Sequence, residues 1–291
     1  MDLSSERDVI QKLVARGEIE PWIRAMILTS TRASPDGSSD LLSDHDVIVA
    51  VQNPDEFAAN GAWVSAYGPP MTRWGDESEL YGLKTYFRGV VYRDGARVDY
   101  TIWPEDLLER VTTEERLPDD LDVGYRVLLD KDGRTAQWQP PAYRAHIPAK
   151  PTAAEYRALV EEFWWDASYV AKALWRGELF FAKFIFEYDV KGVALRRVLE
   201  WRIELDHDWS LKPGAYGRGL ERLLPADIWA ELATTYVGTE IGANWDALFR
   251  TTALFRRVAS EVADALGHEY PEDVDDGVTA YLRGIRELAR A

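Results

Sequence analysis

Apolar residues at Val9, Ile10, Leu13 and Val14 recur at helical spacing, which predicts a first helix over residues 5–16. Gly17 is placed to end it, and Pro21 keeps it from resuming. A short apolar run at 25–28 predicts a strand that leads into a polar loop over 29–43, with a turn at Pro35-Asp36-Gly37. The next strand is 46–51, followed by a helix over 56–67. Two strand-like runs, 83–92 and 97–102, flank Asp94-Gly95, a hairpin signal. A further strand at 125–129 ends in the polar turn 130–133.

The pattern changes near Gln139. The stretch "QPPAYRAHIPAKPT" holds four prolines and reads as a linker. Beyond it the periodicity is helical throughout: 153–176, 178–201 with a break near Gly192, 225–237, 243–266 and 274–290. Thr152 followed by Glu155 predicts a capping box at the first of these helices. The expected fold is α+β: a mixed sheet with flanking helices over 1–138, a proline-rich linker over 139–152, and an all-helical domain over 153–291.

Composition narrows the chemistry. The 291 residues include no cysteine, which excludes disulfides and thiolate metal sites. A formal net charge of -16 argues against a nucleic-acid partner and favours a cationic small molecule. No apolar run is long enough for a membrane span, and the charged opening stretch lacks a signal-peptide pattern, so the expected location is cytoplasmic. The four histidines show no metal spacing, and neither a phosphate-binding P-loop nor a G-x-S-x-G nucleophile motif is present.

Asp44 and Asp46 stand one residue apart at the mouth of the 46–51 strand, where alternation points both to one face. Adjacent carboxylates repel unless a cation lies between them, so the pair reads either as a divalent-metal site or as a solvated turn. His45 between them points to the other face and reads as structural. Asp99 interrupts the 97–102 strand. It is either a solvent-facing residue or, if that strand lies beside 46–51, the third member of a carboxylate cluster suited to Mg²⁺.

The pieces "TSTRA", "SDHDVIVAV", "RVDYTIWP", "LLDKDG", "FWWDASYVAKALWRGELFFAK" and "LKPGAYGRGLERLLP" occur in an order that resembles the aminoglycoside 6-adenylyltransferases of the nucleotidyltransferase superfamily. That resemblance implies Mg²⁺-dependent transfer of AMP from ATP to an aminoglycoside hydroxyl, streptomycin above all. It gives Asp44, Asp46 and Asp99 to the metal, with Asp99 also as general base, and leaves Glu178 or Asp130 as alternative bases. Ser30, Thr31, Arg32, Lys172 and Arg176 fall to the nucleotide, with Lys183 less supported. A guanidinium-bearing acceptor calls for carboxylates and flat rings. Trp103, Trp164, Trp165, Asp166 and Glu178 are the candidates, and Trp74 and Trp175 are also available. Of the tandem tryptophans 164 and 165, one should face the core and the other the ligand.

The loop departs from the family in one respect, since relatives usually carry Gly-Ser where this chain has Ser30-Thr31. A Cβ at Ser30 implies weakened or re-oriented nucleotide binding. That departure keeps two other readings open: a protein of the same fold that binds nucleotide or drug without transfer, and adenylylation of a different acceptor.

Overall fold

The computed structural model describes residues 6–35 and 39–289, so Ser5, Asp36, Gly37 and Arg290 of the expected elements lie outside the described residues. The fold is α+β, and the chain divides into two compact units, 1–145 and 146–291.

In the first unit, six strands form one sheet: β1 (Ile23–Thr29), β2 (His45–Val51), β3 (Pro70–Leu80), β4 (Leu83–Tyr92), β5 (Arg97–Pro104) and β6 (Tyr125–Asp130). Their order is β3-β4-β5-β2-β1-β6. All neighbours are antiparallel except β2 and β5, which run parallel. α1 (Glu6–Ile19), α2 (Pro54–Ala59) and α3 (Ala62–Tyr67) go with one apolar face, built on Val47, Val49, Val98, Tyr100 and Ile102. α4 (Asp106–Thr113) and α5 (Asp119–Asp122) cover the other, where Ile48, Ala50, Trp103 and Trp138 pack. Alternation along β2 and β5 thus feeds two cores, as expected of central strands covered on both faces.

Two local expectations are corrected in this unit. Gly17 does not end α1; it lies buried inside it, where a Cβ would stand 2.5 Å from the Met26 sulfur and 2.9 Å from a Leu129 methyl. Its role is close approach of helix to sheet. The 56–67 helix is split, because the Asn60 side chain accepts the Ala62 N–H (3.1 Å) and restarts the chain as α3. β3 has no counterpart among the expected strands. It is an edge strand paired only with β4 and exposed along nearly its whole length.

The second unit contains α6 (Ala153–Arg176), α7 (Leu179–Phe184), a π-helical segment (Ile185–Leu195), α8 (Arg196–Leu205), α9 (Leu220–Leu223), α10 (Ala226–Thr234), α11 (Ile241–Leu266) and α12 (Glu272–Glu287). The Thr152–Glu155 capping box forms, and Gly177, at φ 76°, ends α6 in the left-handed conformation. Gly192 does not break the following helix. The chain widens into π geometry there, and a Cβ on Gly192 would press to 3.0 Å from the Glu187 carbonyl oxygen. Stacked Phe163 and Phe255, with ring centroids 3.5 Å apart, lie in the core shared by these helices.

Candidate active site

Parallel pairing sets Asp46 of β2 directly opposite Asp99 of β5, on the face shared with Ile48 and Trp103. Asp44 immediately precedes β2 and joins them through Arg97. The Arg97 guanidinium lies 3.2 and 3.0 Å from the two Asp99 oxygens and 3.4 Å from Asp44 Oδ2. Burial first, then repulsion from Asp99 and Asp44, pushes the Asp46 carboxyl up to about 6, while the Ser30 hydroxyl and Arg97 pull against that rise. The cluster therefore carries more negative charge than its own arginine balances.

Ser30 opens a 3-10 turn over Ser30–Arg32 at the end of β1 and adopts φ 64°, the left-handed region. Its hydroxyl hydrogen-bonds the Asp46 carboxylate. Thr31 follows in the same turn. His45 is buried, with Nδ1 3.3 Å from the Arg97 carbonyl oxygen, and burial holds its pKa down at about 4. It is neutral at pH 7 and structural.

Arg32 is corrected from a nucleotide contact to a clamp. Its guanidinium donates to the carbonyls of Ser43 (2.6 and 3.1 Å), Asp44 (3.1 Å) and Asp40 (3.3 Å) and pairs with Glu6 at 3.0 Å. These contacts commit its donors to the backbone that presents Asp44. Trp103 is corrected likewise. It is 0% exposed within the Ile48–Leu107 core and has no surface for a ligand. Asp130, an alternative base, is occupied by its own turn. Burial raises its pKa, but donors from Thr135, Asp132 and Arg134 outweigh that and hold it below the ordinary value.

In the second unit Trp164 is buried, its indole N–H 3.2 Å from the Tyr270 hydroxyl, so it too is withdrawn as a ligand contact. Trp165 is 64% exposed and meets Tyr169 edge-on, with ring centroids 5.7 Å apart. The Lys172 ammonium sits 4.1 Å from the Tyr169 ring centroid. Arg176 and Glu178 form an exposed pair at 4.0 Å. Asp166 is pushed up to about 6 by burial, then by Asp189 and Glu162. Lys183 does not share the Lys172 face, because the helix breaks at Gly177; it donates to the Val237 carbonyl (2.8 Å) and pairs with Glu187.

Sequence reasoning assigns Arg97 no role. The available signal is a cation two residues from the aspartate on one strand. Among the described residues no three His, Asp or Glu side chains converge as a ready-made metal cage. The donor chemistry is still that which suits a hard divalent cation: Asp46 and Asp99 are laterally paired, Asp44 is tied to Asp99 through Arg97, and burial first, then the charges of Asp99 and Asp44, raises the Asp46 pKa.

The profile of the streptomycin adenylyltransferase family matches residues 3–285. The aminoglycoside 6-adenylyltransferase of Bacillus subtilis (strain 168) is 30% identical over 287 residues, 97% of this chain and 98% of that protein. That of Campylobacter jejuni is 26% identical over 283 residues, covering 96% and 95%. Among solved structures, an aminoglycoside 6-adenyltransferase from Bacillus subtilis matches with 26% identity and a TM-score of 0.48, covering 98% of this chain and 100% of that one.

Proposed function

We propose, from the premise that the chain belongs to the streptomycin adenylyltransferase family and is therefore a nucleotidyltransferase, that it transfers AMP from ATP to a hydroxyl of an aminoglycoside, streptomycin first. The observation that carries this reading is the lateral pairing of Asp46 with Asp99, with Asp44 beside them. The acceptor oxygen bonds to the α-phosphorus, and the bond between that phosphorus and the bridging oxygen breaks. Pyrophosphate leaves with the electron pair, and the hydroxyl proton passes to the Asp99 carboxylate. Asp44, Asp46 and Asp99 would hold a magnesium ion, whose charge offsets that of the triphosphate. Ser30 and Thr31 share the turn beside Asp46, which supports giving them to the phosphate oxygens. The family motif assigns Lys172 and Arg176 to the nucleotide, and Trp165, Asp166 and Glu178 to the acceptor. The net charge of -16 suits a cationic acceptor.

The test is incubation with ATP, Mg²⁺ and a panel of aminoglycosides, read by mass spectrometry for an added AMP. Streptomycin should gain the mass, and Asp46→Asn should lower transfer by orders of magnitude while the fold survives. Asp99→Asn should keep nucleotide binding better than Asp46→Asn yet lose transfer almost completely. If ATP binds and no member of the panel is modified, the chain is a binding protein or uses another acceptor, and the reading fails. Normal turnover by Asp46→Asn would remove the site assignment alone.

A further inference from the structure

The carboxylate pair continues sideways across the sheet. Asp46 of β2 faces Asp99 of β5, Asp99 faces Gly89 of β4, and Gly89 faces Trp74 of β3. Directly opposed residues project from the same face, so these four form one row. Neighbouring strands lie about 4.8 Å apart, which puts the Trp74 backbone roughly 10 Å from that of Asp99, with only Gly89 between.

Gly89 is not needed for backbone conformation, since its φ lies outside the left-handed region where other glycines of the chain sit. Space explains it instead. A Cβ there would stand 3.1 Å from Asp99 Oδ1 and 3.1 Å from the Phe87 ring. Its absence leaves the sheet bare beside the carboxylate. The far wall of this gap is aromatic: Trp74 is 64% exposed and leans on Phe87, with ring centroids 5.6 Å apart. An exposed indole on an edge strand is not serving the core. Asp76, two residues along β3 and exposed, shares the Trp74 face and adds a carboxylate beside the indole. An indole face next to a carboxylate is the pairing that holds a guanidinium or ammonium group.

We propose that Gly89 and Trp74 form an acceptor shelf beside Asp99, on which a cationic sugar ring lies with one hydroxyl toward the carboxylates. This assignment rests on the proposed transfer to an aminoglycoside and names the part of the site that receives it. Trp74 acts as a specificity-determining residue. It contacts the acceptor and not the triphosphate, so its loss separates the two substrates.

The experiment compares Trp74→Ala, Trp74→Phe and the unaltered protein in steady-state transfer of AMP to streptomycin, with KM measured separately for streptomycin and ATP. Calorimetric titration with streptomycin provides a second readout that needs no turnover. Trp74→Ala should raise the streptomycin KM and Kd about tenfold and leave the ATP KM within about twofold, while Trp74→Phe retains most of the affinity. Thermal midpoints should match, because the side chain is largely solvated. Equal streptomycin constants in Trp74→Ala and the unaltered protein would overturn the shelf while leaving the transfer reading intact. A rise confined to the ATP KM would overturn it too, by making Trp74 a nucleobase platform. Failure of the unaltered protein both to bind and to modify streptomycin would overturn the shelf, and the same failure across the aminoglycoside panel would overturn the transfer reading with it.

Discussion

Ser30 offers the most direct test of how the phosphate turn works, because two opposing terms meet in one side chain. A residue with a Cβ at φ 64° is disfavoured by about 1 kcal/mol, and glycine removes that strain. Glycine also gains freedom in the unfolded chain, which takes back about 0.5–1 kcal/mol, so the backbone terms nearly cancel. What remains is the hydroxyl donated to the Asp46 carboxylate. Such a bond to a charged group contributes on the order of 1.5 kcal/mol. Ser30→Ala keeps the strain and loses the bond, so it should destabilise by about 1.5 kcal/mol. Ser30→Gly loses the bond, sheds the strain and adds unfolded-state freedom, so it should be destabilised by about 1–1.5 kcal/mol, no more than alanine. Urea unfolding followed by tryptophan fluorescence resolves the three proteins. Titration with a non-hydrolysable ATP analogue reads the nucleotide, and the glycine variant should bind it as tightly as the parent or more so. A glycine variant less stable than the alanine variant would refute the strain argument. A marked loss of nucleotide affinity in Ser30→Gly would make the hydroxyl itself a ligand.

Arg97→Gln removes the guanidinium between Asp44 and Asp99; with Arg97 half-exposed, the metal-free protein should lose only about 0.5–1 kcal/mol. Added Mg²⁺ should then raise its melting temperature more than it raises that of the parent, and equal shifts would show that Arg97 does not compete with a cation for these carboxylates. Asp166 has a folded pKa raised to about 6, so its contribution to stability is full below the unfolded value near 4 and is lost as pH rises through 6. Asp166→Asn should therefore be more stable than the parent at pH 7 by on the order of 1 kcal/mol after allowance for solvent, and a gap that stays constant between about pH 4 and 7.5 would contradict this. Lys191 is buried between the rings of Phe186 and Tyr236 and donates to the Thr235 carbonyl (2.8 Å) and to Glu187. Lys191→Met strands that carbonyl and should destabilise by about 1–3 kcal/mol in chemical denaturation, an effect that a neutral result would remove.

Legibility in the sequence follows burial. The run Val47 to Val51 declares β2 because a central strand covered on both faces is apolar almost throughout. β3 gives no such signal, since neither face of Met71 to Glu79 is buried and no alternation develops. Its Trp74 is visible only as one aromatic among twelve tryptophans. Trp164 and Trp165 part company as expected, because successive residues on a helix face about 100° apart. Which of them is buried depends on how the helix is rotated against its neighbours, and no local pattern states that. Arg32 misleads for a related reason. An arginine beside a phosphate turn looks like an anion contact, and only three-dimensional closure of the loop brings the carbonyls of residues 40, 43 and 44 around its guanidinium.

The carboxylate pair depends on the register of β5 against β2, and the apolar residues beside it fix that register. Val98, Tyr100 and Ile102 join the core face of Val47 and Val49, while Asp99, Thr101 and Trp103 alternate to the other side. A slip of one residue would turn Asp99 into the valine face and lift Tyr100 out of it. Burying an unpaired carboxylate there would cost several kcal/mol, and the tyrosine ring would lose its place beside Val47 and Val49 as well. Two hydrogen-bonded tyrosines oppose the slip too, because Tyr100 is held by the Tyr92 hydroxyl at 3.0 Å. The same packing that hides Tyr100 therefore presents Asp99 opposite Asp46, and it sets Gly89 and Trp74 in line beyond them. A substitution that loosens Tyr100 should consequently lower activity more than its loss of stability alone would explain. Tyr100→Phe serves as the probe: it removes one buried hydroxyl, keeps the ring, and should lower the unfolding free energy by about 1 kcal/mol. If the register carries the site, transfer measured well below the melting temperature should also fall. Unchanged transfer alongside the expected loss of stability would show that the remaining apolar packing holds the register without that bond.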